Sequence, residues 1–160
     1  MKGLPMETVP AKSILSNRYE NGWFGSNYTM NLYRGCCHGC IYCDSRSECY
    51  HVENFDTVRA KENALQILEN ELRTKRKKGW IISGSMSDSY NPFERQEGLT
   101  RGALELIERY QYGAIIDTKS DMVVRDMDLL QGISRHHPAI VNFTITTADD
   151  TLCRHIERGV

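Results

Sequence analysis

Three cysteines on one short segment have a spacing that can bind a metal centre. Cys36, Cys40 and Cys43 follow a C-x3-C-x2-C pattern inside residues 34–43, RGCCHGCIYC. Thiolates are the ligands of iron–sulfur clusters, and a four-iron cluster held by three protein thiolates keeps one iron open to a cofactor or substrate. The spacing therefore favours an open iron–sulfur cluster over plain buried thiols.

Two other metal-binding interpretations remain open from the spacing alone. A four-cysteine electron carrier needs one more thiolate, for which Cys37 and Cys49 are both available. Structural zinc could use the same three cysteines with either Cys49 or His38. Such zinc sites are typically built from two C-x2-C pairs, however, and here only Cys40 and Cys43 have that spacing.

The composition is that of an ordinary globular domain in a reducing compartment. The 160 residues are 40% hydrophobic and 26% charged, and the formal net charge of −1 provides no general attraction to nucleic acid or membrane. No apolar run approaches the roughly 18 residues of a membrane-spanning helix, and the first fifteen residues contain no recognisable secretory signal. We therefore expect a cytoplasmic protein without membrane contact, in which six cysteines indicate metal or redox chemistry before disulfides.

Hydrophobic periodicity predicts alternating strands and helices that position the cysteines. Residues 1–27 are rich in turn signals and predict an irregular N-terminal lead-in, whereas residues 28–160 predict one α/β domain. Strands are predicted over 28–33, 80–83, 114–118 and 139–146, and helices over 57–78, 99–110, 126–135 and 149–158. Alternation of this kind predicts βαβ units and a parallel sheet. Four such units make an incomplete barrel. Either the sheet is open and flanked by the lead-in, or the chain is truncated at its C-terminus, which is the interpretation we favour.

The cysteine segment and several later segments resemble the radical S-adenosylmethionine (SAM) superfamily, and more narrowly its subgroup related to spore photoproduct lyase. The resemblance begins at residues 31–43, where an aromatic residue precedes the last cysteine, and covers about residues 24–158. The later matching segments follow in the right order at residues 85–94, 99–101, 118–120, 125–126 and 144–146.

This resemblance implies a (βα)6 barrel of TIM type, of which the chain carries about four βα units. It implies a four-iron, four-sulfur cluster on Cys36, Cys40 and Cys43, with SAM on the open iron. Reductive cleavage of SAM would give a 5′-deoxyadenosyl radical that removes hydrogen from an unknown substrate. An electron donor such as flavodoxin or ferredoxin is implied as a partner, and nucleic acid by analogy alone. The alternatives are a metal-binding module without turnover and an inactive fragment.

Six further residues match positions that bind SAM in the superfamily, and no catalytic residue is assigned. They are Tyr42, Ser85, Ser87, Asp88, Lys119 and Thr144. Each also has a purely structural interpretation, as a shield for the cluster, a polar turn, a solvated strand end or a β-branched strand residue. Ser85 stands where photoproduct lyases carry a cysteine that returns a hydrogen atom to the product. Because a serine O–H is a poor hydrogen-atom donor, we expect that the chain is not an efficient spore photoproduct lyase.

Overall fold

Two β-sheets form the framework of residues 6–17 and 25–160, the part of the chain that the computed structural model describes. The strands are β1 (Thr8–Val9), β2 (Leu15–Asn17), β3 (Tyr28–Met30), β4 (Tyr33–Arg34), β5 (Arg59–Lys61), β6 (Trp80–Ser83), β7 (Gly113–Thr118) and β8 (Ala139–Phe143). The helices are α1 (Ala64–Thr74), α2 (Glu94–Glu97), α3 (Leu99–Arg109), α4 (Met127–Ser134) and α5 (Asp150–Ile156). Short 3-10 turns lie at Asp44–Arg46, Glu48–Tyr50 and Asp121–Asp126.

The larger sheet has the order β2-β3-β6-β7-β8 and contains the predicted parallel strands. Strands β3, β6, β7 and β8 are parallel and follow one another in chain order, while β2 is antiparallel to β3 at one side. The α1, α3 and α4 helices connect them. The predicted βαβ units are therefore confirmed, and the chain is an α/β protein with mixed sheets.

The smaller sheet has the order β1-β5-β4 and differs from the prediction. Residues 57–78 were expected to be one helix, but their first part forms β5, and α1 begins only after Asn63, which has a positive φ of 52°. The reason is tertiary. Strand β5 pairs with β1 on one side and with β4 on the other, and these hydrogen bonds outweigh a weak helical pattern.

The N-terminal lead-in is also more regular than expected where it is described. Strands β1 and β2 lie within residues 1–27, and both pair with strands from later in the chain. Strands this short have too few residues for a periodic pattern, so only their partners determine them. The expectation for residues 1–5 and 18–24 falls outside the described residues.

The hydrophobic core lies between the larger sheet and its helices. Leu68 and Leu72 of α1 and Leu104 and Ile107 of α3 are fully buried at helical spacing. Strand β7, which has a neighbour on each side in the larger sheet, is buried along nearly its whole length, as expected for a parallel strand covered on both faces. The core therefore fixes the carboxyl ends of β6, β7 and β8 beside one another.

Gly84 allows the loop after β6 to run close to β7. Its φ is +101°, and a Cβ at this position would collide with the carbonyl of Asp117. A residue with a side chain would be strained in this conformation. The approach brings the residues after β6 against the end of β7.

Among the described residues, every helix falls short of the length and apolarity that a bilayer crossing requires.

Candidate functional site

A cleft of about 160 Å³ opens at the carboxyl ends of the parallel strands. Four segments line it: the cysteine loop, the loop after β6, the end of β7 and the residues that follow β8. The residues that the sequence predicts for the site and that line this cleft are Cys36, Cys40, Cys43, Ser85, Ser87, Asp88, Lys119 and Thr144. In open α/β sheets, ligands bind outside the carboxyl ends of the strands, and this is the position of the cleft.

The three cysteines lie at different depths on one loop. Cys40 is buried, while Cys36 and Cys43 are half-buried, and all are free thiols. Burial raises the pKa of Cys36 and Cys40, although Lys119 acts in the opposite direction on Cys40. The thiols of Cys36 and Cys40 therefore favour the protonated form near neutral pH, and any metal that binds them would have to displace their protons. Within the described ranges, no three His, Cys, Asp or Glu side chains are grouped around a single-ion position.

The other cysteines of the loop region lie outside the cleft lining. Cys37 is half-buried and packs against the hydrophobic core. Cys49 is exposed, and its Sγ lies 3.1 Å from the hydroxyl of Ser47. Neither thiol is placed as a fourth cysteine of the cleft.

Tyr42 lies at the rim and contacts Lys119. The Lys119 ammonium is 5.4 Å from the centre of the Tyr42 ring, within the range of a cation–π interaction. The Tyr42 hydroxyl is 2.9 Å from that of Thr146 and donates a hydrogen bond to Glu157. Tyr42 is thus held beside the cleft by polar contacts as well as by packing.

Glu157 is a site residue that the sequence analysis missed. It is only 4% exposed, its carboxylate pairs with Lys119 at 3.0 Å, and it accepts a hydrogen bond from Thr146 at 2.7 Å. Burial would raise the pKa of Glu157, but the bonds from Thr146, Tyr42 and Lys119 outweigh it and hold the pKa at about 2. A single glutamate at a helix end has no distinctive spacing, so no sequence signal marked it.

The segment that carries Glu157 also holds the cysteine loop through its backbone. Cys40 and Glu157 form an antiparallel bridge. The Ile41 amide donates to the Ile156 carbonyl at 2.9 Å, and the Gly159 amide donates to the His38 carbonyl at 2.8 Å. The cysteine loop is therefore attached to the end of α5 rather than free in solvent.

The carboxylate of Asp88 accepts several hydrogen bonds from neighbouring residues of the protein. It accepts hydrogen bonds from the Tyr90 amide at 2.8 Å, the Thr118 hydroxyl at 2.8 Å and the Lys119 amide at 2.8 Å. These bonds attach the loop after β6 to the end of β7. His38 lies 3.7 Å from the same carboxylate, but burial lowers the His38 pKa and favours the neutral imidazole. Asp88 thus positions the backbone of Lys119, and its contact with SAM remains a prediction.

The three hydroxyl residues of the prediction differ in their surroundings. Ser87 is buried, and its hydroxyl donates to the Tyr33 carbonyl at 3.4 Å. Ser85 and Thr144 are exposed at the cleft. Thr144 is fixed through its amide, which donates to the Thr118 carbonyl at 3.1 Å. The cleft therefore offers hydroxyl oxygens from two separate strand ends.

An ionic network with two buried carboxylates connects segments on either side of the cleft-lining loops and was not predicted. Glu94 and Asp126 have fully buried side chains, and Arg125 pairs with them at 2.9 Å and 2.7 Å. The Tyr33 hydroxyl donates to Glu94 at 2.5 Å, and the Tyr90 hydroxyl donates to Asp126 at 3.0 Å. The network joins the strand before the cysteine loop to the segment after β6.

Fold and cleft define an α/β protein whose parallel strands end at a cysteine-lined cleft, and similar proteins occur in distant organisms. The chain is 37% identical over 136 residues to an uncharacterized protein of Methanocaldococcus jannaschii, an alignment covering 83% of the chain and 49% of that protein. It is 28% identical over 167 aligned residues to an uncharacterized protein of Mycobacterium tuberculosis, covering 98% of the chain and 48% of the relative. The chain thus spans about half the length of the curated relatives it matches. No family model and no solved structure matches it.

Proposed function

We propose that the chain is the core of a radical SAM enzyme, in which Cys36, Cys40 and Cys43 hold three irons of a four-iron, four-sulfur cluster. The observation that carries the proposal is the shared cleft, where three thiols of one loop meet polar groups from three other strand ends. The four βα units are then part of a six-unit barrel of TIM type. When bound, the reduced cluster supplies the electron that cleaves SAM into methionine and a 5′-deoxyadenosyl radical.

The donor set of the cleft suits such a cluster. Each thiolate of an iron–sulfur cluster binds its own iron, so the three sulfurs surround a group of atoms and do not converge on one ion. Once deprotonated, the thiolates bring negative charge to the cleft, and the ammonium of Lys119 at its wall partly compensates for it. Burial would lower the pKa of Lys119, but its bonds with Tyr42 and Glu157 outweigh that effect and raise it. Lys119 therefore remains a cation.

The polar residues of the cleft suit the methionine part of SAM. The hydroxyl oxygens of Ser85 and Thr144 are exposed at the cleft and can accept from an ammonium. The Lys119 side chain is 15% exposed. Its ammonium can donate to a carboxylate while it is paired with Glu157, because an ammonium has three donors. Tyr42, at the rim, offers an aromatic surface to the adenine.

The proposal is tested by anaerobic reconstitution with iron and sulfide. We expect a brown protein with about four irons per chain, whose visible spectrum changes when SAM is added. An electron donor such as flavodoxin or ferredoxin should then support formation of 5′-deoxyadenosine. A chain that stays colourless under these conditions and retains zinc would contradict the proposal and favour a metal-binding module.

Replacing Lys119 with Met is expected to weaken SAM binding without loss of the cluster. A lost charge-assisted contact costs about 1.5–3 kcal/mol, which corresponds to roughly a ten- to a hundredfold rise in Kd. The measurement is a SAM titration of the reconstituted protein, followed by its visible spectrum. Lys77→Met is the matched control, because Lys77 is exposed and lies outside the cleft lining.

A double variant separates the loss of a SAM contact from a disturbance of the fold. Lys119→Met alone leaves the buried Glu157 without its cation, whereas Lys119→Met with Glu157→Gln removes both charges. We expect the double variant to recover stability but not SAM affinity. Wild-type SAM affinity in either variant would remove Lys119 from the binding site.

A further inference from the structure

Three cations share one face of the smaller sheet. Arg34 and Arg59 are directly opposite each other in the antiparallel β4–β5 pair, and Lys61 lies on the same face two residues further along β5. Like charges in opposite positions destabilise a sheet. No carboxylate among the described residues lies within ion-pair distance of these three side chains.

The hydrogen bonds of these cations leave donors unused. Arg34 donates to the His51 carbonyl at 3.4 Å, and Arg59 donates to the Glu53 carbonyl at 2.7 Å. The Arg59 Nε is buried and has no hydrogen-bond partner. An unpaired buried donor is unfavourable, so this face of the sheet lacks an acceptor.

Lys61 is the cation for which burial matters most. Burial lowers the pKa of Lys61 most, Glu71 acts in the opposite direction, and Arg34 lowers it to a smaller extent. One oxygen of the Glu71 carboxylate, Oε2, accepts hydrogen bonds from the amides of Ile14 and Leu15 at 3.0 Å and 2.9 Å. The charge of Lys61 is therefore only partly compensated within the described part of the chain.

A pocket of about 210 Å³ adjoins this cationic face. Arg34 and Lys61 supply its charge, and Phe55 supplies part of an apolar wall. Met86 and Ser87 line both this pocket and the cysteine cleft, so the two spaces are neighbours. No acidic side chain of the described residues lines the pocket.

We propose that this pocket, the Lys61 pocket, binds an oxyanion, namely the carboxylate or phosphate of a small molecule with an apolar body. A guanidinium and a half-buried ammonium in a pocket wall without an acidic side chain favour an anion, and the aromatic ring of Phe55 favours an apolar group next to it. That this molecule is the substrate rests on the proposed function, because the Lys61 pocket adjoins the cleft. Oxyanion binding itself does not depend on the cluster.

The proposal is tested by titrating the full chain, purified without a cluster, with benzoate and phenyl phosphate. These probes share a ring and differ in the oxyanion, and benzyl alcohol is the neutral control. Binding is followed by NMR chemical shifts. We expect saturable binding of at least one anion and none of benzyl alcohol, and the tighter anion distinguishes carboxylate from phosphate.

Variants connect the binding to the pocket. Lys61→Met should weaken binding of the anion about tenfold or more, whereas Lys77→Met, at an exposed lysine elsewhere, should not change it. Arg34→Met gives a second test that is safe for the fold, because Arg34 is exposed. The inference would be wrong if neither anion bound saturably. It would also be wrong if Arg34→Met, and Lys61→Met where that variant folds, bound the anion with the same affinity as wild type. Neither outcome affects the proposed function, which is measured by reconstitution of the cluster.

Discussion

Replacing any one of Cys36, Cys40 or Cys43 with Ala is expected to abolish the proposed iron–sulfur cluster. A cluster open at one iron already has the minimum of three protein thiolates, so losing one leaves only two attachment points. Anaerobic reconstitution of each variant should give a colourless protein, measured by visible absorption and by iron content. The effect should be close to complete.

The other cysteines provide the matched controls. Cys49→Ala should reconstitute like wild type, because Cys49 is exposed and outside the cleft. Cys37→Ala should also retain its colour, although it loses some core packing. If Cys49→Ala were as colourless as Cys36→Ala, the site would have four thiolates and the open-cluster hypothesis would be wrong.

Replacing Asp126 with Asn is expected to destabilise the fold by about 3–5 kcal/mol at neutral pH, the usual cost of removing one partner from a buried ion pair. Asp126 is fully buried and accepts from Arg125, Arg101 and Tyr90. Asparagine has the same shape but no charge, so both guanidinium groups lose their shared anion. The measurement is urea unfolding at neutral pH. Asp128→Asn is the control, because Asp128 also pairs with Arg101 but is exposed.

The same variant gives a pH dependence of known sign. Burial would raise the pKa of Asp126, but hydrogen bonds from Arg125, Arg101 and Tyr90 outweigh it and hold the pKa below its ordinary value of 3.8. A carboxyl group with a depressed pKa stabilises the fold above its unfolded pKa, and that contribution is lost as the pH falls through the folded pKa. The difference in stability between wild type and Asp126→Asn should therefore shrink below about pH 4. If Asp126→Asn lowered the free energy of unfolding at neutral pH no more than Asp128→Asn does, the ionic network would not contribute strongly to the stability of the fold.

Local sequence patterns were sufficient for the parallel strands. Residues 80–83 were predicted as a strand and form β6 with the same bounds, because a short apolar run between turn signals has few alternatives. The residues after β6, β7 and β8 were assigned to one site by the resemblance to the radical SAM superfamily, and this assignment agrees with the carboxyl ends of parallel strands lying at the same edge of a sheet. The spacing of Cys36, Cys40 and Cys43 identified their loop as the candidate metal-binding segment.

The missed features depend on contacts between distant residues. Strand β5 pairs with β1 and β4, and nothing within residues 57–63 reveals those partners. Glu157 acquires its role only because Lys119 and Tyr42 are brought to it by the fold. The same holds for Arg125 and Asp126, which as sequence neighbours predict only a helix start. Local periodicity and spacing cannot detect such pairs, because the two residues of each pair come from different parts of the chain and only the fold brings them together.

The attachment of the cysteine loop to the end of α5 has a consequence for synthesis of the protein. Tyr42 and Glu157 are 115 positions apart in the chain, and contacts of such separation form late because a long loop must close first. Domains emerge from the ribosome with the N-terminal part first. The three cysteines are therefore translated long before the segment that fixes their loop, and the cleft is completed only when residues 156–159 have been made. If the cleft holds the proposed cluster, we expect its insertion to follow translation of these residues.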